Sequence, residues 1–184
     1  MISFLISLFF TALTSNPVVP EESCVCRNQD TFPIPPADTR TLFYIQRTPN
    51  TNTIMYALNV ESNGKLNTDE PVHPYWIRYQ EQGQHEDLSY IQRNYAYGLK
   101  TKDLGNGKYE LRFVSYKKLP FYLTKSSRDN KYHIHATINK KNIEVSRVFL
   151  QIEGGTFWLP NVVCAEVKGV DPDTGNEIIE RFKP

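Results

Sequence analysis

TLFYIQRTPNTNTIMYALNV, Thr41 to Val60, is the stretch on which the fold turns. Leu42, Tyr44 and Gln46 share one face of an extended segment and Phe43, Ile45 and Arg47 the other, because strand side chains alternate. Thr48-Pro49-Asn50-Thr51-Asn52 is turn chemistry: proline fixes φ and asparagine tolerates left-handed backbone. Ile54, Tyr56, Leu58 and Val60 then alternate with Thr53, Met55, Ala57 and Asn59. The spacing predicts a β-hairpin whose second strand closes at Ser62-Asn63-Gly64.

The tetrapeptide Tyr44-Ile45-Gln46-Arg47 recurs as Tyr90-Ile91-Gln92-Arg93 within HEDLSYIQRNYAYGL, His85 to Leu99. Its flanks differ. Leu88, Ile91 and Tyr95 follow helical spacing and predict an apolar stripe. Glu86 and Asp87 fall in the first turn, where acids suit the helix dipole. Gly98 stands where a C′ glycine ends a helix. The second copy therefore reads as one short helix. The two copies are no repeat, since context overrides local propensity.

Strand patterns fill the rest. Tyr109 to Phe113, Tyr132 to Ile138, Val148 to Ile152 and Val163 to Val167 alternate inward and outward positions, and Tyr75 to Tyr79 and Glu177 to Phe182 also read as strands. Pro120 to Leu123 reads as an edge strand, because proline cannot donate to a ladder. Roughly eight short strands with one short α-helix predict a mainly β fold, an antiparallel β-barrel or sandwich. A closed or half-closed barrel is favoured, with the helix as a plug at one end.

A chain of 184 residues favours one domain, here 39–184, and 40% hydrophobic content supports a core. A net charge of +1 gives no field to draw nucleic acid. Lys117-Lys118 and Lys140-Lys141 read as solvated loop or strand ends. The apolar run Ile2 to Leu13 has the length of a signal-peptide core and falls short of the roughly 20 residues that span a bilayer. Ala12, Thr14 and Ser15 are small residues where a signal peptidase would cut. Residues 1–15 are therefore expected to be a cleaved signal peptide, leaving no transmembrane segment and an exported, periplasmic or secreted protein. Glu21-Glu22-Ser23 before Cys24 is no lipobox. Residues 16–38, with Pro17, Pro20, Pro33, Pro35 and Pro36, read as a Pro-rich linker.

LFYIQRTPNTNTIMYALN, PVHPYWIRYQEQG, DLSYIQRNYAYGL and AEVKGVDPDTGNEIIERF together resemble a family of exported bacterial domains, domain of unknown function forty-eight thirty-three. The resemblance runs from Thr41 to Phe182. It implies a bacterial envelope or secreted setting, a single domain and no established activity. It carries over no catalytic residue.

The residues themselves offer few chemical centres. His133 and His135 share a strand face, and two such imidazoles suit zinc given a third ligand, Glu144 or His73. A metal-assisted hydrolase is the reading this permits; a polar strand surface is the plainer one. There is no HExxH, CxxC, GxSxG or Gly-rich phosphate loop. No catalytic residue and no cofactor is assigned. Asp171 to Glu177 is too short for a calcium loop of the EF-hand kind and reads as a hairpin turn. Arg47, Asn50 and Asn52, beside Tyr44 and Tyr56, make the best polar cluster, suited to glycan or carboxylate recognition. Tyr75 and Tyr79 are candidate pocket residues, whereas Trp76 reads as core. The expected function is a non-enzymatic binding module for an envelope ligand: glycan, lipid or protein.

Export places Cys24, Cys26 and Cys164 where disulfides persist. Three cysteines allow one internal bridge. Cys24 to Cys26 closes a small strained ring. The expected bridge is Cys26 to Cys164, or Cys24 to Cys164, stabilising the fold by about 4 to 5 kcal/mol in the chain-entropy account.

Overall fold

The computed structural model describes residues 24–27, 31–36, 38–156 and 159–184; the expected signal peptide lies outside them. The strands are β1 (Thr41–Arg47), β2 (Asn50–Leu58), β3 (Val72–Arg78), β4 (Gln84–Asp87), β5 (Leu99–Asp103) and β6 (Tyr109–Phe113). They continue as β7 (Phe121–Lys125), β8 (Tyr132–Ile138), β9 (Lys141–Gly155), β10 (Pro160–Val170) and β11 (Glu177–Phe182). A 3₁₀ turn, Tyr79–Glu81, precedes β4, and the helix α1 is Tyr90–Tyr95.

The predicted hairpin forms, with a tighter turn than expected. Arg47 already pairs with Asn50, so Thr48 and Pro49 alone make the turn. Asn50 to Asn52 belong to β2, where the side chains of Asn50 and Asn52 satisfy backbone amides. Asn50 Oδ1 accepts from the Asn52 amide at 3.2 Å, and Asn52 Oδ1 from the Gln80 amide at 3.1 Å.

Eleven strands, not roughly eight, join one sheet of order β4-β3-β2-β1-β9-β8-β7-β6-β5, with β10 and β11 on the other edge of β9. The sheet is mixed, not purely antiparallel. Tyr44 to Arg47 run parallel to Arg147 to Leu150. The cause is the length of β9. Its first residues pair with β8, its middle takes β1, and its other edge carries β10. A parallel neighbour some hundred residues away carries no turn signal. The edge-strand reading of Pro120 to Leu123 is also corrected: β7 is interior, between β6 and β8. Pro120 precedes it, so the ladder loses no donor.

The sheet curls into a half-barrel. Phe43 stacks on Tyr56 at 4.4 Å and on Phe121 of β7 at 5.8 Å, and Phe113 of β6 meets Tyr56 edge-on at 5.6 Å. Each such pair contributes about 0.5 to 1.5 kcal/mol beyond its buried area. These rings close the curl by joining β1 and β2 to strands far along the order. Leu111, Leu123, Ile134, Ile143 and Val167 are buried in the same core.

The second YIQR is helical, as read, but the supports differ. Glu86 and Asp87 lie in β4. Ser89 caps the helix: its Oγ accepts from the Gln92 amide, and Gln92 Oε1 accepts from the Ser89 amide at 3.0 Å. This Ser-x-x-Gln box fixes the start. No residue of α1 is buried, with Ile91 43% and Tyr95 63% exposed, so the expected apolar stripe is absent. Leu88 is buried, one residue before the cap. Gly98 is not the C′ residue, since the helix ends at Ala96. It is needed because a Cβ there would lie 1.8 Å from the Arg93 carbonyl oxygen.

Candidate functional site

Inside the curl lies a cavity of about 580 Å³. Ile45, Phe113, Phe121, Val148, Val167 and Phe182 bring β1, β6, β7, β9, β10 and β11 to its wall. The β1–β2 turn, Arg47 to Pro49, and the end of α1 onward, Tyr95 to Tyr97, complete it. The alternation of apolar residues along each strand points these side chains inward. Curvature then leaves space between them. The volume lies in the range of small-molecule sites.

Arg47 contributes the one charged side chain among the described residues of that wall. Its guanidinium carbon lies 5.7 Å from the ring centre of Trp76 and 5.7 Å from that of Tyr97. Trp76 is itself fixed, its indole N–H donating to Gln92 Oε1 at 3.2 Å. Arg47 Nε is buried and has no hydrogen-bond partner among the described residues. A planar guanidinium set beside an edge-to-face pair of rings, Trp76 and Tyr97, 5.3 Å apart, with its Nε–H unpartnered among the described residues, suits a carboxylate or similar anion. The surrounding low dielectric strengthens that interaction.

The other expected ligand residues are placed elsewhere. Asn50 and Asn52 serve the backbone of β2 and of the 3₁₀ turn. Tyr75 lies between the rings of His73, at 6.0 Å, and His85, at 5.3 Å. Burial, then Asp38, pushes its phenol upward in pKa. Tyr79 has a buried hydroxyl without a hydrogen-bond partner among the described residues, and burial, then Tyr44, raises its pKa. Neither Tyr75 nor Tyr79 lines the cavity. Sequence reading singled out Arg47 at the turn and did not anticipate the wall it joins. The signal was the inward apolar row on β6, β7, β9 and β10, which looks the same whether a core is filled or hollow. Trp76 is core as expected, at 1% exposure.

His133 and His135 lie close, with ring centres 6.5 Å apart. His133 Nδ1 meets Glu144 Oε1 at 2.6 Å and Nε2 meets Asp129 Oδ2 at 2.9 Å. Both ring nitrogens of His133 are thus taken up by carboxylate partners. Burial holds His135 below the ordinary histidine pKa, against an upward pull from Glu144. His73 pairs with Asp87 at 3.0 Å. Nothing in this arrangement supports the hydrolase reading. At the Asp171 turn, Oδ1 accepts from the amides of Asp173 and Thr174 at 2.8 and 3.1 Å. Those bonds hold its carboxyl below the usual range.

The three cysteines converge. Their sulfurs all lie within 4.8 Å of one another, and Cys164 is buried. The chain bearing Cys24 and Cys26 runs over the outer face of β9, β10 and β1. The Arg27 amide donates to Gln151 Oε1 at 2.7 Å, Phe32 packs edge-on to Phe149 at 5.2 Å, and Gln46 Nε2 donates to the Pro33 carbonyl at 2.7 Å. This cover explains why Cys164 and Glu166 are 1% and 3% exposed on a strand face read as polar.

Among the described residues, no helix is long and apolar enough to cross a membrane. The model of a family described as Domain of unknown function (DUF4833) matches residues 43–181. No curated protein and no solved structure matches the chain.

Proposed function

We propose that this chain, which belongs to the family described as Domain of unknown function (DUF4833), is an exported, non-enzymatic binding module. Its ligand is an apolar molecule with an anionic head, of the lipid class. The observation that carries this reading is the 580 Å³ apolar cavity with Arg47 as its one charged side chain among the described residues. A glycan would ask for many polar partners, and this wall offers few. Protein ligands favour exposed surfaces over enclosed space. The described wall holds no His, Cys, Asp or Glu side chain, and its hydroxyl-bearing residues are Thr48, Tyr95, Tyr97, Ser115, Tyr116 and Thr156. Export rests on the apolar run Ile2 to Leu13.

The test is titration with a fluorescent long-chain carboxylate. Saturable binding is expected, weakened about tenfold or more in Arg47→Ala, since a charged hydrogen bond contributes about 1.5 to 3 kcal/mol. Val148→Trp, which fills the cavity, should abolish it. A matched long-chain alcohol should bind both wild type and Arg47→Ala weakly and alike. No saturable binding, or equal carboxylate affinity in Arg47→Ala, sinks the proposal.

A further inference from the structure

We propose that Cys24, Cys26 and Cys164 form a thiol–disulfide exchange centre, with one disulfide on Cys164 that passes between Cys24 and Cys26. A structural staple needs two cysteines. This chain has three, all in one place. The Cα atoms of Cys24 and Cys26 lie 5.6 and 5.7 Å from that of Cys164. Both separations fall within the range of about 4.4 to 6.8 Å that a disulfide accepts without backbone movement. A sulfur forms only one disulfide, so the two pairings are alternatives.

Chain entropy does not choose between them. The bridges would span 140 and 138 residues. The entropy depends on the logarithm of loop length, so the difference is negligible. Local contacts decide, such as the one from Cys24 Sγ to the Phe182 carbonyl at 3.2 Å.

The exchange balances. In the Cys26–Cys164 form, the Cys24 thiolate attacks Cys164 Sγ; the Cys24–Cys164 bond forms, the Cys26–Cys164 bond breaks, and Cys26 leaves as thiolate. No net oxidation occurs. The first bridge requires an oxidant of the external disulfide class, which accepts two electrons and leaves as two thiols. Cys24 and Cys26 are partly exposed and Cys164 is buried. The displaced thiol therefore meets external disulfides while the shared sulfur does not. Its thiolate attacks such a disulfide, forms a mixed disulfide and releases one small thiol.

The experiment is acid-quenched, non-reducing peptide mapping of the full purified chain, with fragmentation to place the label between Cys24 and Cys26. Expected are both Cys24–Cys164 and Cys26–Cys164 peptides, with one alkylated thiol per chain shared between Cys24 and Cys26. Oxidised glutathione should then add one mixed disulfide, on Cys24 or Cys26 and never on Cys164. Cys24→Ser and Cys26→Ser should each keep a full bridge and take up no glutathione. A single exclusive pairing, a Cys24–Cys26 bridge, three free thiols, or one stoichiometric metal ion bound by all three sulfurs would each overturn the proposal. The wild-type map stands even where a variant fails to fold.

Discussion

The Tyr56 hydroxyl donates to the Tyr97 carbonyl across 2.8 Å, tying the middle of β2 to the chain that leaves α1. Tyr56 is fully buried, and burial, then Tyr97, raises its pKa well above the ordinary value. The hydroxyl therefore stays a donor wherever the fold persists. Tyr97 also lines the cavity and faces Arg47. Tyr56→Phe should cost about 1 kcal/mol, because the partly buried Tyr97 carbonyl loses this partner. Chemical denaturation measures the loss. The same variant should release the fluorescent carboxylate faster, as one wall of the cavity loosens.

The helix cap gives a second prediction. Gln92 Oε1 accepts from both the Ser89 amide and the Trp76 indole. Ser89→Ala should cost about 1 kcal/mol, the usual loss for a removed cap. Gln92→Ala should cost more, since it also strands the Trp76 N–H, while Gln92→Glu keeps an acceptor and should recover most of the loss. Equal effects of Ser89→Ala and Gln92→Ala in thermal unfolding would contradict this ordering.

That cap also marks what the sequence could reveal. Tyr-Ile-Gln-Arg is a strand in β1 and a helix in α1. In the second copy Ser89 stands three residues before Gln92 and closes a capping box; in the first, Phe43 holds that position. The signal was local and legible. The parallel pairing of β1 with β9 was not, because no turn joins them. The cavity was illegible for a related reason: it depends on how far the sheet curls, not on which face of a strand is apolar. Arg47 was singled out only as the cation of a polar cluster at the turn, with Asn50 and Asn52, whose side chains serve the backbone instead.

Acid should weaken the fold partly through Glu180 of β11. Burial opposes its charge, but hydrogen bonds from Lys141 Nζ and from Asn139 Nδ2, the latter at 2.7 Å, outweigh that and hold its pKa below the ordinary value. A depressed folded pKa means the unfolded chain binds the proton more readily. This stability is thus fully present above the unfolded value, about 4.3, and is lost as pH falls through the folded one. Glu180→Gln should cost about 1.5 to 3 kcal/mol at pH 7. Its stability should also fall less steeply than that of wild type below about pH 4. Parallel pH curves for the two proteins would show that Glu180 does not carry this dependence.

The last prediction concerns the segment before the hairpin. Gln46 is 2% exposed on the outer face of β1. Its Nε2 donates to the Pro33 carbonyl and, at 3.2 Å, to Thr53 Oγ1, while its Oε1 accepts from Arg147 Nε at 2.9 Å. One amide thus fastens the Pro-rich segment, β2 and β9 together. Composition alone suggested only a linker there, since prolines remove backbone donors and hide the carbonyls that remain as acceptors. Gln46→Leu keeps the volume but leaves the Pro33 carbonyl and the Arg147 Nε–H without this partner. It should cost about 1 to 3 kcal/mol. Hydrogen exchange should rise at Thr31, Phe32 and Ile34 while the amides of β6 to β8 keep their protection. Uniform loss of protection across the sheet would instead make Gln46 a general core residue and not the anchor of this segment.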